Sequence, residues 1–552
     1  MRVWSGLAGV LLFSCGAFAA SEAPPTGKLP RTALPLHYAL TFRIDPTQTQ
    51  FSGMTEIRVR LTEPADHVWM HGKALIMRKA EVVDAAGSAL PAKYSVADAD
   101  AGVVRVDFGK LLPAQELVLR FDYRASFNDK LEGLYRAEHA SRPYVVSQME
   151  PISARFAFPS FDEPSFKTPF DLTLEIPATA TGVSNTPQIG EEKIGDGMKR
   201  LRFRTTPPLP TYLVAIGVGP WDIKAGPTIP PTQYRNNPVP LRGLAAAGEG
   251  GRLEEALAAT PQIVTALEDY FGYGYPFGKL DLLAAPDFSA GAMENPGLIV
   301  FRDWLLLLDA NSPVGSRRGS FNVNAHELAH QWFGDTVTMP WWDDIWLNEA
   351  FATWMQGKIT QQLRPDYRAD LNRIEGVQVA MSADSFASAR RIRQPIDDNG
   401  DIEGAFDSIT YQKGAAVLEM FEAWIGPEAF RAGMRKYVRD HEFANATADD
   451  LVAALADASD QGERFERAMK TFLDQPGVPL VSTKLECRDG KAALTLSQQR
   501  YLPLGSIAKA KQQWGVPVCV RLGRGKATTT QCGLLDKHEG RLELDGGCPD
   551  WY

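Results

Sequence analysis

The sequence predicts a multidomain α+β protein, with an N-terminal antiparallel β domain, a mixed helix-rich domain after it and a small C-terminal β-sandwich. Three observations carry this reading. The 552 residues exceed what one hydrophobic core serves and suggest roughly three to four domains. Apolar residues alternate with period two near both ends of the chain and recur at helical spacing between them. Proline and glycine clusters mark the changes of period, at Gly217 to Pro220, between Pro227 and Pro240, and at Pro476.

Residues 1–20 combine Arg2, an apolar run too short to span a bilayer and a small-residue end at Ala17-Phe18-Ala19, the pattern of a secretory signal peptide. This favours free export, periplasmic or extracellular, over lipoprotein anchoring through Cys15. From residue 21 to 220, Ile57, Val59 and Leu61 alternate with Arg58 and Arg60, and Val104, Val106 and Phe108 with Arg105 and Asp107. Such alternation makes half-buried antiparallel strands. Residues 221–475 form the helical block, in which Thr260-Pro261 reads as a cap and first-turn proline and Thr447 to Asp450 as a capping box. From 476 to 552 alternation returns in Val516, Val518, Val520 and Leu522. Cys487, Cys519, Cys532 and Cys548 all fall in this last block, an even number that suits two disulfides in an exported chain. Three connectivities are possible; Cys519 with Cys532, on what read as neighbouring strands, is favoured, leaving Cys487 with Cys548. A formal charge of −9 without a basic stripe argues against nucleic acid as a partner, and no stable membrane span is expected. Oligomeric state is not legible.

His326-Glu327-Leu328-Ala329-His330 places two imidazoles one helical turn apart, within reach of one zinc ion, with Glu327 beside the open coordination position. A pattern of this kind arises by chance about 0.01 times in a chain of this composition. Catalytic zinc takes a third protein ligand, and Glu349 follows His330 after 18 intervening residues within WLNEAFATW. This spacing allows a helix, a turn at Gly334, a break at Met339-Pro340 and a returning helix. One zinc per chain is expected, held by His326, His330 and Glu349, with Glu327 as general base. Trp332, Trp341, Trp342, Trp346 and Trp354 crowd the same stretch and read mainly as core. The other six histidines have no comparable company.

Several separate segments resemble the zinc aminopeptidases of the aminopeptidase N family over about residues 30 to 550. They are Gly291-Ala292-Met293-Glu294-Asn295, HELAHQWFGD with WLNEAFATW, Gln148-Met149-Glu150-Pro151 with the later Asp162-Glu163-Pro164, and Phe406 to Gly414 around Tyr411. The resemblance implies a thermolysin-like α/β catalytic domain over 221–475 and removal of N-terminal residues from peptides. It assigns Gln148, Glu150 and the 291–295 segment to the substrate, with Glu150 and Glu294 on its free α-amino group. Tyr411 becomes the phenol that stabilises the oxyanion. Asp162-Glu163-Pro164 reads as a loop and packing feature. Members of that family usually continue into a large helical domain, so a chain lacking it, truncated or naturally short, is the expectation. A thermolysin-like endopeptidase shares the metal motif but needs no amine-binding carboxylates. Epoxide-hydrolysing relatives resemble a segment with glycine where this chain has Ala292, and a silent scaffold would have lost a ligand or Glu327.

Overall fold

A computed structural model describes residues 22–507, 509 and 511–552; the expected signal peptide with Cys15 lies outside the described residues. In the first domain the alternation becomes an eight-stranded sheet centred on Ala33–Arg43, Gln50–Leu61 and Glu116–Ser126. Ile57, Val59 and Leu61 point into the core while Arg58 and Arg60 face water. The domain departs from the antiparallel expectation at one pairing, since Ala33–Arg43 lies parallel to Phe170–Pro177. A parallel neighbour needs a long crossover, and the many residues between these two strands supply it. A four-stranded sheet contains Arg142–Gln148 between Gly133–His139 and Ile216–Gly219. Tyr144 to Gln148 are all buried, so this strand delivers Gln148, and Glu150 just beyond it, into the interior.

The central domain holds a five-stranded mixed sheet in which Leu241–Ala245, Leu280–Ala285 and Leu298–Arg302 run parallel. The short strand Ala292–Met293 pairs antiparallel with Leu298–Arg302 and forms one edge. Helices Glu254–Phe271, Val314–His330 and Trp346–Leu363 pack together beside this sheet. The five tryptophans named above are buried here. Pro261 corrects the expectation of a first-turn proline: the helix already begins at Glu254, and Pro261 lies inside it. An interior proline costs about 3 kcal/mol, which burial of Ala256 and Leu257 in the preceding turn offsets. The box from Thr447 to Asp450 does cap its helix, with Thr447 Oγ1 and the Asp450 carboxylate exchanging hydrogen bonds with each other's backbone N–H.

Pro479–Arg488, Lys491–Arg500 and Glu539–Leu544 form a three-stranded sheet, accompanied by the hairpin Val516–Arg524 with Ala527–Leu535. Cys519 and Cys532 sit directly opposite each other in that hairpin and are joined, as are Cys487 and Cys548. No helix among the described residues is long and apolar enough to cross a membrane. The first two domains are tied by Lys167, whose ammonium donates to the carbonyls of Asp335 and Thr336 at 2.9 and 3.0 Å and to Thr338 Oγ1 at 2.8 Å.

Candidate active site

The helix Val314–His330 places His326 and His330 on one face, with their Nε2 atoms 3.1 Å apart. His330 Nδ1 lies 3.0 Å from the Phe333 carbonyl; a proton held there leaves the Nε2 lone pair free for a metal. The chain then turns at Gly334, whose φ of +132° favours glycine and where a Cβ would stand a tight 3.3 Å from His330 Nδ1 and Asn348 Nδ2. It returns as the helix Trp346–Leu363 with Glu349 in the first turn, where the helix dipole favours a carboxylate. Glu349 Oε2 stands 3.3 Å from His326 Nε2 and 3.5 Å from His330 Nε2.

These separations test whether zinc fits. Ligand atoms about 2.0–2.1 Å from a tetrahedral ion stand about 3.3 Å from one another, and the three observed edges surround that value. His326, His330 and Glu349 therefore form a ready triad of the donor types zinc prefers. Burial opposes ionisation of Glu349, but His330 and His326 outweigh it and bring its carboxyl down to about 2. Burial first, then the Glu294 and Glu349 carboxylates, pushes Glu327 well above the usual carboxylate range.

On one side of the triad stand the buried Glu294 and the half-buried Glu150, each with a buried Oε1 lacking any hydrogen-bond partner. Burial raises both carboxyls, aided at Glu150 by the neighbouring Glu294 and at Glu294 by Glu349. Gln148 Oε1 and Asn295 Oδ1 are likewise unpartnered. Such a cluster of buried acceptors without donors is what a bound cation would relieve. Gln148 Nε2 lies 3.6 Å from Met293 Sδ, joining the first-domain strand to the edge strand. Gly291 accepts from the Arg302 N–H at 2.9 Å, and the Arg302 guanidinium holds the preceding loop through the Phe288 carbonyl. Gly291, Ala292, Glu294, Gln148 and Glu150 line a cleft of about 700 Å³ together with the metal triad, Glu327 and Tyr411.

Tyr411 rises from a π-helical turn, Ile409–Lys413, with its ring parallel to that of His326 at 6.3 Å between centroids. Arg390 holds the turn by bonding the Asp407 carboxylate, the Ala405 carbonyl and Thr410 Oγ1. Burial first, then the surrounding carboxylates, pushes the Tyr411 hydroxyl well above its ordinary value, so it remains a donor. Asp162 pairs instead with the buried Arg155 at 2.9 Å and accepts from Thr211, a structural joint away from the cleft.

Sequence reasoning did not single out Gln331, Arg390 or Asp335. Gln331 Nε2 donates to the Glu294 carbonyl at 2.6 Å and so couples the metal helix to the amine-side segment. Both carboxylate oxygens of Asp335 are buried without a partner. Gln331 and Asp335 stand inside the motif string itself, which was their available signal; Arg390 had none, because it acts across a loop.

Residues 34–213 match the peptidase M1 N-terminal domain and residues 255–474 the peptidase family M1 domain. Aminopeptidase M1 of Arabidopsis thaliana is 34% identical over 532 residues, covering 95% of this chain and 58% of the relative. Aminopeptidase 2, mitochondrial, of Saccharomyces cerevisiae is 33% identical, covering 95% and 54%. Puromycin-sensitive aminopeptidase of Caenorhabditis elegans is 31% identical, covering 96% and 56%. The chain thus spans a little over half the length of these curated relatives. With both domain matches and this extended similarity falling on the elements that build the cleft, the chain belongs to peptidase family M1.

Proposed function

We propose that this chain is a zinc aminopeptidase that removes N-terminal residues from peptides. One observation carries the reading: two carboxylates, Glu150 and Glu294, each with a buried, unpartnered oxygen, close one side of a cleft whose other wall is the His326, His330 and Glu349 triad. A free α-ammonium satisfies such oxygens and fixes the first peptide bond over the metal. An endopeptidase, which must pass chain on both sides, gains nothing from them.

When bound, zinc supplies a Lewis acid that lowers the pKa of a ligated water towards neutrality and polarises the scissile carbonyl. Glu150 and Glu294 hold the substrate ammonium, with Gln148 Oε1 as a further acceptor. The edge strand Ala292–Met293 offers its outer side to the substrate backbone, as in strand addition. Glu327 takes the proton of the attacking water and returns it to the departing amine. The Tyr411 hydroxyl donates to the former carbonyl oxygen as negative charge builds.

The test compares a Leu-headed peptide with its N-acetylated twin on zinc-replete protein, following products by mass. Stepwise loss of the first residue from the free peptide alone supports the proposal; internal cleavage of both makes it an endopeptidase, and cleavage of neither refutes it for this chain. We also propose an exported, oxidising destination, periplasmic or extracellular, on the strength of the two disulfides. Fractionation that finds the chain only in the cytosol would overturn that.

A further inference from the structure

Tyr411 and Lys413 share the π-helical turn Ile409–Lys413 but leave it on opposite sides, because two positions along a helix rotate a side chain by about half a turn. Tyr411 lines the cleft. The Lys413 ammonium is buried behind it and pairs with Asp384 Oδ2 at 2.9 Å. The Lys413 N–H closes the turn on the Ser408 carbonyl at 3.0 Å, so a pull on this side chain acts on the backbone that carries the phenol. The turn is thus fastened at both ends, by Arg390 through Asp407 and Thr410 at its start and by Lys413 at its close.

The second fastening leads out of the central domain. Asp384 is the buried last residue of the helix Ala369–Asp384. Its Oδ1 accepts from the Gly477 N–H at 2.7 Å, and Lys413 Nζ also donates to the Gln475 carbonyl at 3.3 Å. Gln475 to Val478 is where the chain enters the C-terminal β block, and these residues are bonded into it. Gln475 Nε2 donates to the Gln513 carbonyl at 3.0 Å, and the Tyr501 N–H donates to the Val478 carbonyl at 2.8 Å. Arg500 of the same block reaches the Phe386 carbonyl, two residues past Asp384, at 3.0 Å. Among the described residues none from 476 to 552 lines the cleft, yet this block grips both members of the pair.

A buried ion pair adds little net stability over apolar side chains of similar volume. Its distinctive effect is directional, since a charge-assisted hydrogen bond fixes its partners at one separation where an apolar contact can slide. We propose that Lys413 is a positioning residue: held by Asp384 against the C-terminal β block, it sets the reach of the Tyr411 phenol over the metal triad. The proposal rests on the role that the aminopeptidase reading gives Tyr411. It makes the C-terminal block the fixed point for a group in the cleft to which it contributes no residue.

Asp384→Asn keeps an acceptor for the Gly477 N–H and removes the charge facing Lys413, whereas Lys413→Met keeps the stem and removes the ammonium. Thr471→Val is the control. It cuts another bond to the C-terminal block, from the Gly515 N–H to Thr471 Oγ1 at 3.0 Å, without changing a bond to Lys413 or Asp384. Each is made in zinc-loaded protein labelled with 3-fluorotyrosine, in which the Tyr411 fluorine resonance is the one missing from Tyr411→Phe. Asp384→Asn and Lys413→Met should each move or broaden that resonance. Each should lower kcat on a Leu anilide about 10- to 100-fold, as a displacement approaching 1 Å would, with zinc retained and KM changed less than about twofold. On a Tyr411→Phe background neither should lower kcat by more than a further factor of about two. Thr471→Val should leave resonance and kcat as they are. An unmoved resonance in the folded variants, losses that multiply with Tyr411→Phe, equal effects in Thr471→Val, or failure of both pair variants to fold would overturn the proposal and leave the pair a structural fastener. Failure of the aminopeptidase reading has a different signature: the resonance would still move, while the parent itself would show no turnover.

Discussion

Gly414 directly follows the π-helical turn that carries Tyr411, and its backbone lies against the helix of Glu349. A Cβ at this position would stand 2.4 Å from Ala350 Cβ. Carbon atoms rest at about 3.5–4.0 Å, so Gly414→Ala must open the gap by roughly 1.1–1.6 Å. Ala350 is fully buried and adjacent to the metal ligand, which leaves the movement to fall between the phenol and the triad. A displacement of about 1 Å in a reacting geometry costs about 100-fold in rate, and overpacking of this kind costs about 1–3 kcal/mol of stability. The assay is kcat on a Leu anilide, with zinc content measured on the same sample. The expected result is kcat down about 100-fold with zinc retained. A double variant, Tyr411→Phe with Gly414→Ala, should lose no more than Tyr411→Phe alone, because a phenol already removed cannot be displaced. A Gly414→Ala protein that keeps kcat within about twofold, or a double variant whose losses multiply, would refute the reasoning.

Glu327→Gln should keep zinc through dialysis and lose about 10²–10⁴ in kcat, whereas Glu349→Ala should lose the metal; equal metal loss in both, by elemental analysis, would undo the division of roles. Glu294→Gln and Glu150→Gln should each lower kcat/KM on free-amine peptides about ten- to hundredfold with zinc intact, the worth of one charge-assisted hydrogen bond; an unchanged value in either would remove that residue from the amine pocket. Burial pushes the Glu163 carboxyl up from 4.5 to about 7, against the opposing pull of the Leu29 N–H and Arg31. The folded state therefore holds this proton more tightly than the unfolded chain. Its stabilising contribution is full below about 4.5 and is lost as pH rises to about 7, by about 3 kcal/mol. Urea unfolding of Glu163→Gln should lack that part of the slope, and an unchanged pH dependence would contradict the assignment.

The metal triad was legible because each ligand signals through spacing: four residues along one helix for His326 and His330, and a helix-turn-helix length for Glu349. The strands were legible where one face is wet, as at Ile57 to Leu61. Arg142–Gln148 is buried across its end and shows no alternation, so only resemblance drew attention to Gln148 and Glu150. Pro261 misled because a local rule about prolines ignores the apolar turn that precedes it, whose burial decided the matter. Gly414 and Arg390 were illegible in principle, since each is defined by what it meets across the fold. The same is true of the unpartnered oxygens of Glu150 and Glu294, which lie far apart in the chain and acquire meaning only together.

The Lys167 tie has a bearing on how this site fails. Glu150 reaches the cleft from the first domain, while the triad, Glu327 and Tyr411 belong to the second. Lys167 reaches from the first domain to carbonyls just past the second histidine, within a few residues of the triad. On the proposed mechanism the amine-binding and metal-binding groups therefore come from two domains, and their alignment depends on the contacts between them. Mild denaturant or a neutral side chain at Lys167 should let the domains breathe apart, blurring recognition of the amine while the metal stays bound. The protein would then fall silent while still fully loaded, and metal content would be a poor gauge of how much of a preparation is competent.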